Sequence, residues 1–253
     1  MTENFKKSSL RDTFESLVVT VILAIFGTTF VVQAFKIPTG SMENTLLIGD
    51  HLLVNKFAFA DQPGFWRHLL PYKTIRRGDI LVFKYPSTEG QQEPGEDFVK
   101  RVIGVPGDHI RIVHRQVFVN GAPLKDSYVL HSFPNEARPG DDFPPLPNEF
   151  LPESTLGWTE DMKNYVANGE LVVPPHRYFV MGDNRENSWD SRFWGFVPTH
   201  LISGSPLVIY WSFETPSDEY LRTSLSDRVA QIGDLLVHFF TKTRWRRTFQ
   251  LVR

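Results

Sequence analysis

DFVKRVIGVPGDHIRIVHRQVFVNGAPL, Asp97 to Leu124, alternates apolar and polar residues and breaks at turn signals. Asp97 to Ile103 reads as one strand leading into a Pro106-Gly107 turn. The alternation resumes at His109 and ends at Asn120-Gly121, a strong hairpin signal. The neighbouring segments follow the same pattern. HLLVNKFAF (His51 to Phe59) and GDILVFKYP (Gly78 to Pro86) are apolar runs bounded by turn residues. RYFVMGD (from Arg177) and SPLVIYWSF (from Ser205) add two more. Short strands with frequent turns predict a mainly β fold of sandwich or barrel type.

The composition agrees. The chain has 253 residues, 41% hydrophobic and 22% charged, with 21 Phe and 18 Pro. That suits one medium-sized folded domain with attachments. A net charge of −2 provides no basic field for nucleic acid. The absence of cysteine excludes disulfides, a thiol nucleophile and cysteine-based zinc sites.

Three regions depart from the strand pattern. Ser16 to Phe35, SLVVTVILAIFGTTFVVQAF, has no charge in 20 residues. As a helix it would be roughly 30 Å long, the thickness of a bilayer core. Lys6, Lys7 and Arg11 precede it and place the N-terminus in the cytoplasm. A cleavable signal peptide is the alternative, with a weak cleavage pattern at Val32-Gln33-Ala34, but the apolar run exceeds the usual signal core. Residues 122–173 are rich in Pro and acids; they read as a surface excursion with one short helix near Glu160 to Asn168. In the tail, Leu225, Val229, Ile232, Leu235, Leu236, Phe239 and Phe240 fall on one helical face, followed by the basic KTRWRRTF. Such a helix can lie on a membrane or pack on the domain.

Three constellations bear on chemistry. Ser41 follows Gly40, two residues after the hydroxyl of Thr39, and its N–H can point at an incoming carbonyl. A serine nucleophile needs a base. The eight histidines show no triad-like motif. Lys100 shares a strand face with Phe98 and Val102, while Val99, Arg101 and Ile103 share the other. Burial there would have to lower the amine from about 10.4 to about 8, about 3–4 kcal/mol of disfavoured charge. An edge-strand lysine with its amine in water fits the spacing as well. The third stretch, Met181 to Pro198, is a polar loop in which Asp190 and Arg192 can pair and Ser188 can reach the Lys100 amine.

IPTGSMENTLLIGDHLLVNKF (from Ile37), RRGDILVF (from Arg76), FVKRVIGVPGD (from Phe98) and YFVMGDNRENSWDSRFWGFVP (from Tyr178) together closely resemble the bacterial type I signal peptidases, or leader peptidases. The resemblance covers most of the chain outside 122–173 and the tail. It implies a signal-peptidase-like β fold and endoproteolysis by a serine–lysine dyad, with no metal and no cofactor. Ser41 would be the nucleophile and Lys100 the general base. Thr39, where the family often has serine, would complete the oxyanion hole with the Ser41 N–H. Ser188 would orient the lysine, and Gly182, Asp183, Arg101, Asp190 and Arg192 would shape the site. Glu186 stands where many members have aspartate and is given no catalytic role. Candidate walls for pockets that accept small residues are Ile37, Pro38, Met42, Leu46, Phe98 and Val99.

The implied organisation is a cytoplasmic segment (1–15), a transmembrane helix (16–35), a catalytic β domain (36–215) and an amphipathic helix with a basic tail (216–253). The expected place is a bacterial cytoplasmic membrane, single-pass, with the catalytic domain outside. The expected partners are signal peptides of exported pre-proteins and the bilayer; the chain would act as a monomer. The rival readings are another serine–lysine peptidase such as a self-cleaving repressor, an organelle counterpart, and a tethered signal-peptide-binding module without activity.

Overall fold

The computed structural model describes residues 9–27, 32–56, 58–59, 73–86, 96–146, 149, 151–222 and 224–252. Lys6, Lys7, residues 28–31 of the expected span, Phe57, and residues 147, 148 and 150 of the excursion lie outside them.

Helix α1 (Ser9–Phe26) comes first. Its apolar part exposes Phe14, Leu17, Val19, Leu23 and Ile25. The expected 16–35 helix does not continue to Phe35: Val32–Lys36 is strand β1. Phe35 sits opposite Leu52 and Ala34 opposite Leu53 in an antiparallel ladder. Here Val32 and Phe35 find a partner strand, and that pairing overrides the apolar run's helical length. Among the described residues no helix is long and apolar enough to cross a membrane.

The remaining strands are β2 (Asp50–Asn55), β3 (Ile80–Lys84), β4 (Asp97–Gly104), β5 (His109–Val113), β6 (Gln116–Val119), β7 (Ala122–Pro123), β8 (Val166–Ala167), β9 (Glu170–Val172), β10 (Arg177–Met181), β11 (Val197–Pro198), β12 (Ile202–Ser212) and β13 (Gln250–Leu251). The helices after α1 are α2 (Leu156–Met162), α3 (Ser191–Trp194) and α4 (Leu225–Lys242). Among the described residues, eight strands form one antiparallel sheet in the order β1-β2-β12-β3-β4-β10-β11, with β13 added to β12. A five-stranded sheet runs β7-β6-β5-β9-β8. The fold is mainly β, as the alternation predicts.

The Asn120-Gly121 hairpin joins β6 to β7, with φ of 53° and 75°. Asn168-Gly169 makes the same turn between β8 and β9, at 54° and 76°. The helix of the excursion therefore precedes its expected position, because Asn-Gly occupies the place where that helix was expected to end. Thr155 caps α2 by accepting from Trp158 N–H. The excursion is also more than surface. Phe143, Leu151, Trp158, Met162 and Leu171 are buried in the main core with Leu81, Val102 and Phe179. A second core under β1 and β2 gathers Ile37, Met42, Leu46, Leu52, Val82 and Val99.

Strand β4 lies inside the large sheet, between β3 and β10. From Val99 onward every residue is buried. Both faces of a central strand are covered, so Lys100 and Arg101 point to opposite sides and both lose water.

Candidate active site

Ser41 sits in a single 3-10 turn, Gly40–Met42, directly after β1. Leu46 N–H closes the turn onto Met42 O at 2.7 Å, and Ile37 N–H bonds to Asp50 O at 2.9 Å. The apolar side chains of Ile37 and Met42 sink into the second core and hold the turn down. Lys100 approaches from β4. Its Nζ lies 2.5 Å from Ser41 Oγ, hydrogen-bonded to it, and 5.5 Å from the Phe98 ring centroid. The residue is 3% exposed. Burial pushes its pKa down to about 8; the Asp190 carboxylate opposes the fall and Arg192 assists it. The reading of Lys100 as an edge lysine with its amine in water therefore fails, because the amine is buried against the Ser41 turn.

Beneath the pair lie two buried ion pairs. Arg192 Nε and Nη2 each lie 2.9 Å from an oxygen of Asp190, which also accepts from Gly182 N–H at 3.1 Å. Burial alone would raise the Asp190 carboxyl, but Arg192 and the Ser188 hydroxyl hold it below its ordinary range. Arg101 grips Asp183 through Nε and Nη2 at 2.8 and 2.7 Å, with its guanidinium 4.0 Å over the Tyr128 ring. Planar bidentate pairs fix both position and orientation, so Arg101–Asp183 holds the 182–192 loop against β4 and Arg192–Asp190 braces the loop internally.

Ser188 is placed differently from the expectation. Its Oγ accepts from Gly182 N–H at 3.1 Å and donates to the Asp190 carboxylate. No hydrogen bond from Ser188 to Lys100 is present among the described residues. The physical reason is competition: a buried carboxylate is the stronger acceptor. Leu46 is corrected as well. It is fully buried in the core below the turn and does not border the cleft, because its backbone closes the turn from beneath. Ile37, Pro38, Met42, Phe98 and Val99 do border it.

Some contributors were not singled out from sequence. Asn184 N–H donates to Ser41 O at 3.1 Å, and its side chain reaches Glu43 at 3.0 Å and accepts from Ser132 Oγ at 2.8 Å. Thr45 Oγ1 donates to Asp183 at 2.5 Å. Asn184 stood in the polar loop and Thr45 in the serine segment, but only their neighbours reveal what they hold. Glu186 fastens the excursion to the loop through His131 (2.6 Å) and Ser132 N–H (2.7 Å), and also reaches Arg115 between β5 and β6 (3.3 Å). Burial opposes its charge, and these donors, His131 foremost, hold its carboxyl below its ordinary range.

A Cβ on Gly182 would meet Ser188 Oγ at 2.3 Å and Ser41 O at 2.4 Å. The second contact is backbone and cannot swing away. Gly182→Ala is expected to push the Ser41 turn outward, lowering turnover about 100-fold. The overpacking should also destabilise the fold by about 1–3 kcal/mol. Turnover and thermal unfolding of the variant check this; unchanged turnover would show that the turn has slack.

Ser41 and Lys100 lie at the bottom of a cleft of ≈ 430 Å³, with Thr39 exposed on its rim and Trp189 and Phe193 stacked 5.3 Å apart on the opposite wall. A serine hydroxyl against a buried, readily neutralised amine in an extended cleft has the form of a serine hydrolase site. Comparison with known proteins agrees. The family "Signal peptidase, peptidase S26" matches residues 10–211. Signal peptidase I of Pseudomonas fluorescens is 35% identical over 211 residues, 76% of this chain and 69% of that protein. Signal peptidase I of Pseudomonas aeruginosa is 34% identical, covering 74% and 67%. A solved structure of a signal peptidase I from Enterococcus faecalis V583 is 29% identical and covers 53% of this chain and 97% of that one, with a TM-score of 0.37. The chain belongs to the peptidase S26 signal peptidase family: it is a serine endopeptidase, and its activity is signal-peptide removal.

Proposed function

We propose that Ser41 is the nucleophile and neutral Lys100 its general base, in an endopeptidase that cuts pre-proteins after A-x-A-like sites. The observation that carries this is the 2.5 Å contact between a buried amine and the serine hydroxyl. Lys100 takes the Ser41 proton as Oγ attacks the carbonyl at the end of the signal peptide. The tetrahedral oxyanion is received by the Ser41 N–H and the Thr39 hydroxyl. The lysine then gives its proton to the leaving amine, which departs as the mature chain, and a water activated by the same amine hydrolyses the acyl-enzyme. Asp190, Arg192, Ser188, Gly182, Asp183 and Arg101 act by position, holding the loop behind the lysine.

Two features support an extended substrate with small side chains. The described register of β10 covers β4 only from Arg101 onward, which leaves Asp97 to Lys100 an edge toward the cleft where a peptide can add as a strand. Ile37, Pro38, Met42, Phe98 and Val99 make the wall beside Ser41 apolar. The apolar part of α1, from Ser16, attaches the chain to a bacterial cytoplasmic membrane. Exposed apolar side chains along α1 support this, as do Lys6, Lys7 and Arg11 for a cytoplasmic N-terminus. The catalytic domain then faces the outer side, where signal peptides emerge.

The test is purified full-length chain with a pre-protein in lipid vesicles, reading the new N-terminus by sequencing. Release after the A-x-A site is expected, with loss of cleavage when the residue before the cut is replaced by Trp. Binding of the pre-protein without any cut would overturn the proposal in favour of a tethered binding module.

A further inference from the structure

Helix α4 is amphipathic in an unusual direction. Its inner side, with Asp227, Gln231, Asp234 and the half-buried Leu235, lines a cavity that Lys36 of β1, His51 of β2 and Trp211 of β12 also line. Its apolar side faces away from the domain: Val229 is 70% exposed, Leu236 75% and Phe240 78%. A surface helix normally buries its apolar stripe in the core. This one is fixed the other way round. A capping box at Ser224 and Asp227 sets its start. At its end, Glu214 N–H bonds to Lys242 O at 2.9 Å and Arg244 N–H to Ser212 O at 2.9 Å, tying it to β12. Trp245 packs against Phe239 and Phe240 and extends the apolar face beyond the last turn.

We propose that the outer face of α4 is an interfacial surface that rests in the headgroup region of an anionic bilayer, beside the mouth of the catalytic cleft. Charge selects this occupant. From Leu225 on, the sequence has six basic residues and two acidic ones, in a chain of net charge −2. Exposed Arg228 and Arg246 stand near the two ends of the apolar stripe. An anionic surface attracts such a pair. Antiparallel pairing with a second copy would instead bring Arg228 of one chain toward Arg246 of the other. Position agrees too. Pro38 borders the catalytic cleft and also a groove shared with Arg228 and Ile232. A bilayer touching α4 is thereby level with the cleft's entrance, where a substrate would leave its own membrane span.

The inference extends the membrane reading of α1 and is tested apart from it. The chain has no cysteine, so single spin labels can be placed on the full-length protein. Labels at Val229→Cys, Leu236→Cys and Phe240→Cys are compared with Gln231→Cys on the inner side and Leu17→Cys on α1. The host is vesicles of phosphatidylethanolamine and phosphatidylglycerol. The three outer sites are expected to collide more with oxygen than with a water-soluble nickel chelate, and Gln231→Cys to show the reverse. Arg228→Glu with Arg246→Glu should return the outer sites to water. Water-like outer sites with Leu17→Cys in lipid would overturn this inference and leave the anchor standing. Spin–spin broadening among the outer labels would overturn it in favour of a second copy.

Discussion

Ser41→Ala and Lys100→Met should each lower pre-protein cleavage about 10⁴-fold or more, and the double variant should be no worse than the weaker single. The two groups act as one unit across 2.5 Å, so removing either empties the step. Measuring kcat/KM for the three variants checks it; additive losses would mean that the groups act in separate steps. The pH dependence carries the same signature. Only the neutral amine accepts the proton, so cleavage should rise with pH to a limb centred near 8.

Stability should move the opposite way to activity in Lys100→Met. The folded lysine sits near 8 and the unfolded one near its ordinary value, so between those points the unfolded chain binds more protons and wild type gains stability as pH rises. Below 8 the fold retains the full burden of a charged amine in an apolar site, about 3 kcal/mol. Lys100→Met is therefore expected to unfold at a higher temperature than wild type at pH 6, with the advantage shrinking toward pH 10. An equal or lower unfolding temperature at pH 6 would mean that Lys100 is not held out of water.

Asp190→Asn is expected to destabilise the fold by about 3–5 kcal/mol, because it leaves Arg192 buried and uncompensated. Its second effect distinguishes it from simple damage. The Asp190 charge raises the lysine's pKa while Arg192 lowers it. Removing the carboxylate should shift the acid limb of the rate profile to lower pH, even as thermal stability drops. Asp190→Asn combined with Arg192→Gln should recover much of the stability, since the stranded charge is gone. A rate profile that stays in place would sever the loop from the lysine. In wild type, the Asp190 carboxyl lies below its ordinary range, so the stability from this pair is present above the unfolded carboxyl's pKa. It is lost as pH falls through the lower folded value.

The strands were legible because they are local: alternation and turn residues within about ten positions announce them. Asn120-Gly121 was read as a hairpin; Asn168-Gly169 carries the same signal, and the acidic, proline-rich surroundings hid it. The excursion's core residues gave no periodicity. Phe143, Trp158 and Leu171 enter the main core from a loop, a short helix and a three-residue strand, and none of these is long enough to show a repeat. The end of α1 was misplaced because an apolar, β-branched run satisfies a helix or a strand equally well. The partner strand β2, which returns after residues 37–49, decided for strand. The stripe on α4 was visible in the spacing, but its direction was not, since a stripe says nothing about which side the domain lies on.

At the site, the sequence by itself determined the chemistry on offer: a serine after glycine, a lysine between apolar neighbours, and a loop dense in Asp, Asn, Ser and Arg, arranged in an order that resembles one family. Only the tertiary structure decided which of these groups act on one another. Lys100 could have stood at an edge with its amine in water. It became a readily neutralised amine because the turn after β1 brings Ser41 against it from 59 residues away, and the 182–192 loop sets Asp190 and Arg192 near it. Ser188 could have met the lysine directly and instead bonds Asp190; Leu46 could have walled the cleft and instead lies under it. Local sequence sets the torsions and the faces of each element. Desolvation, and with it the pKa of a base, depends on which elements cover one another, and that depends on contacts between residues far apart in the chain.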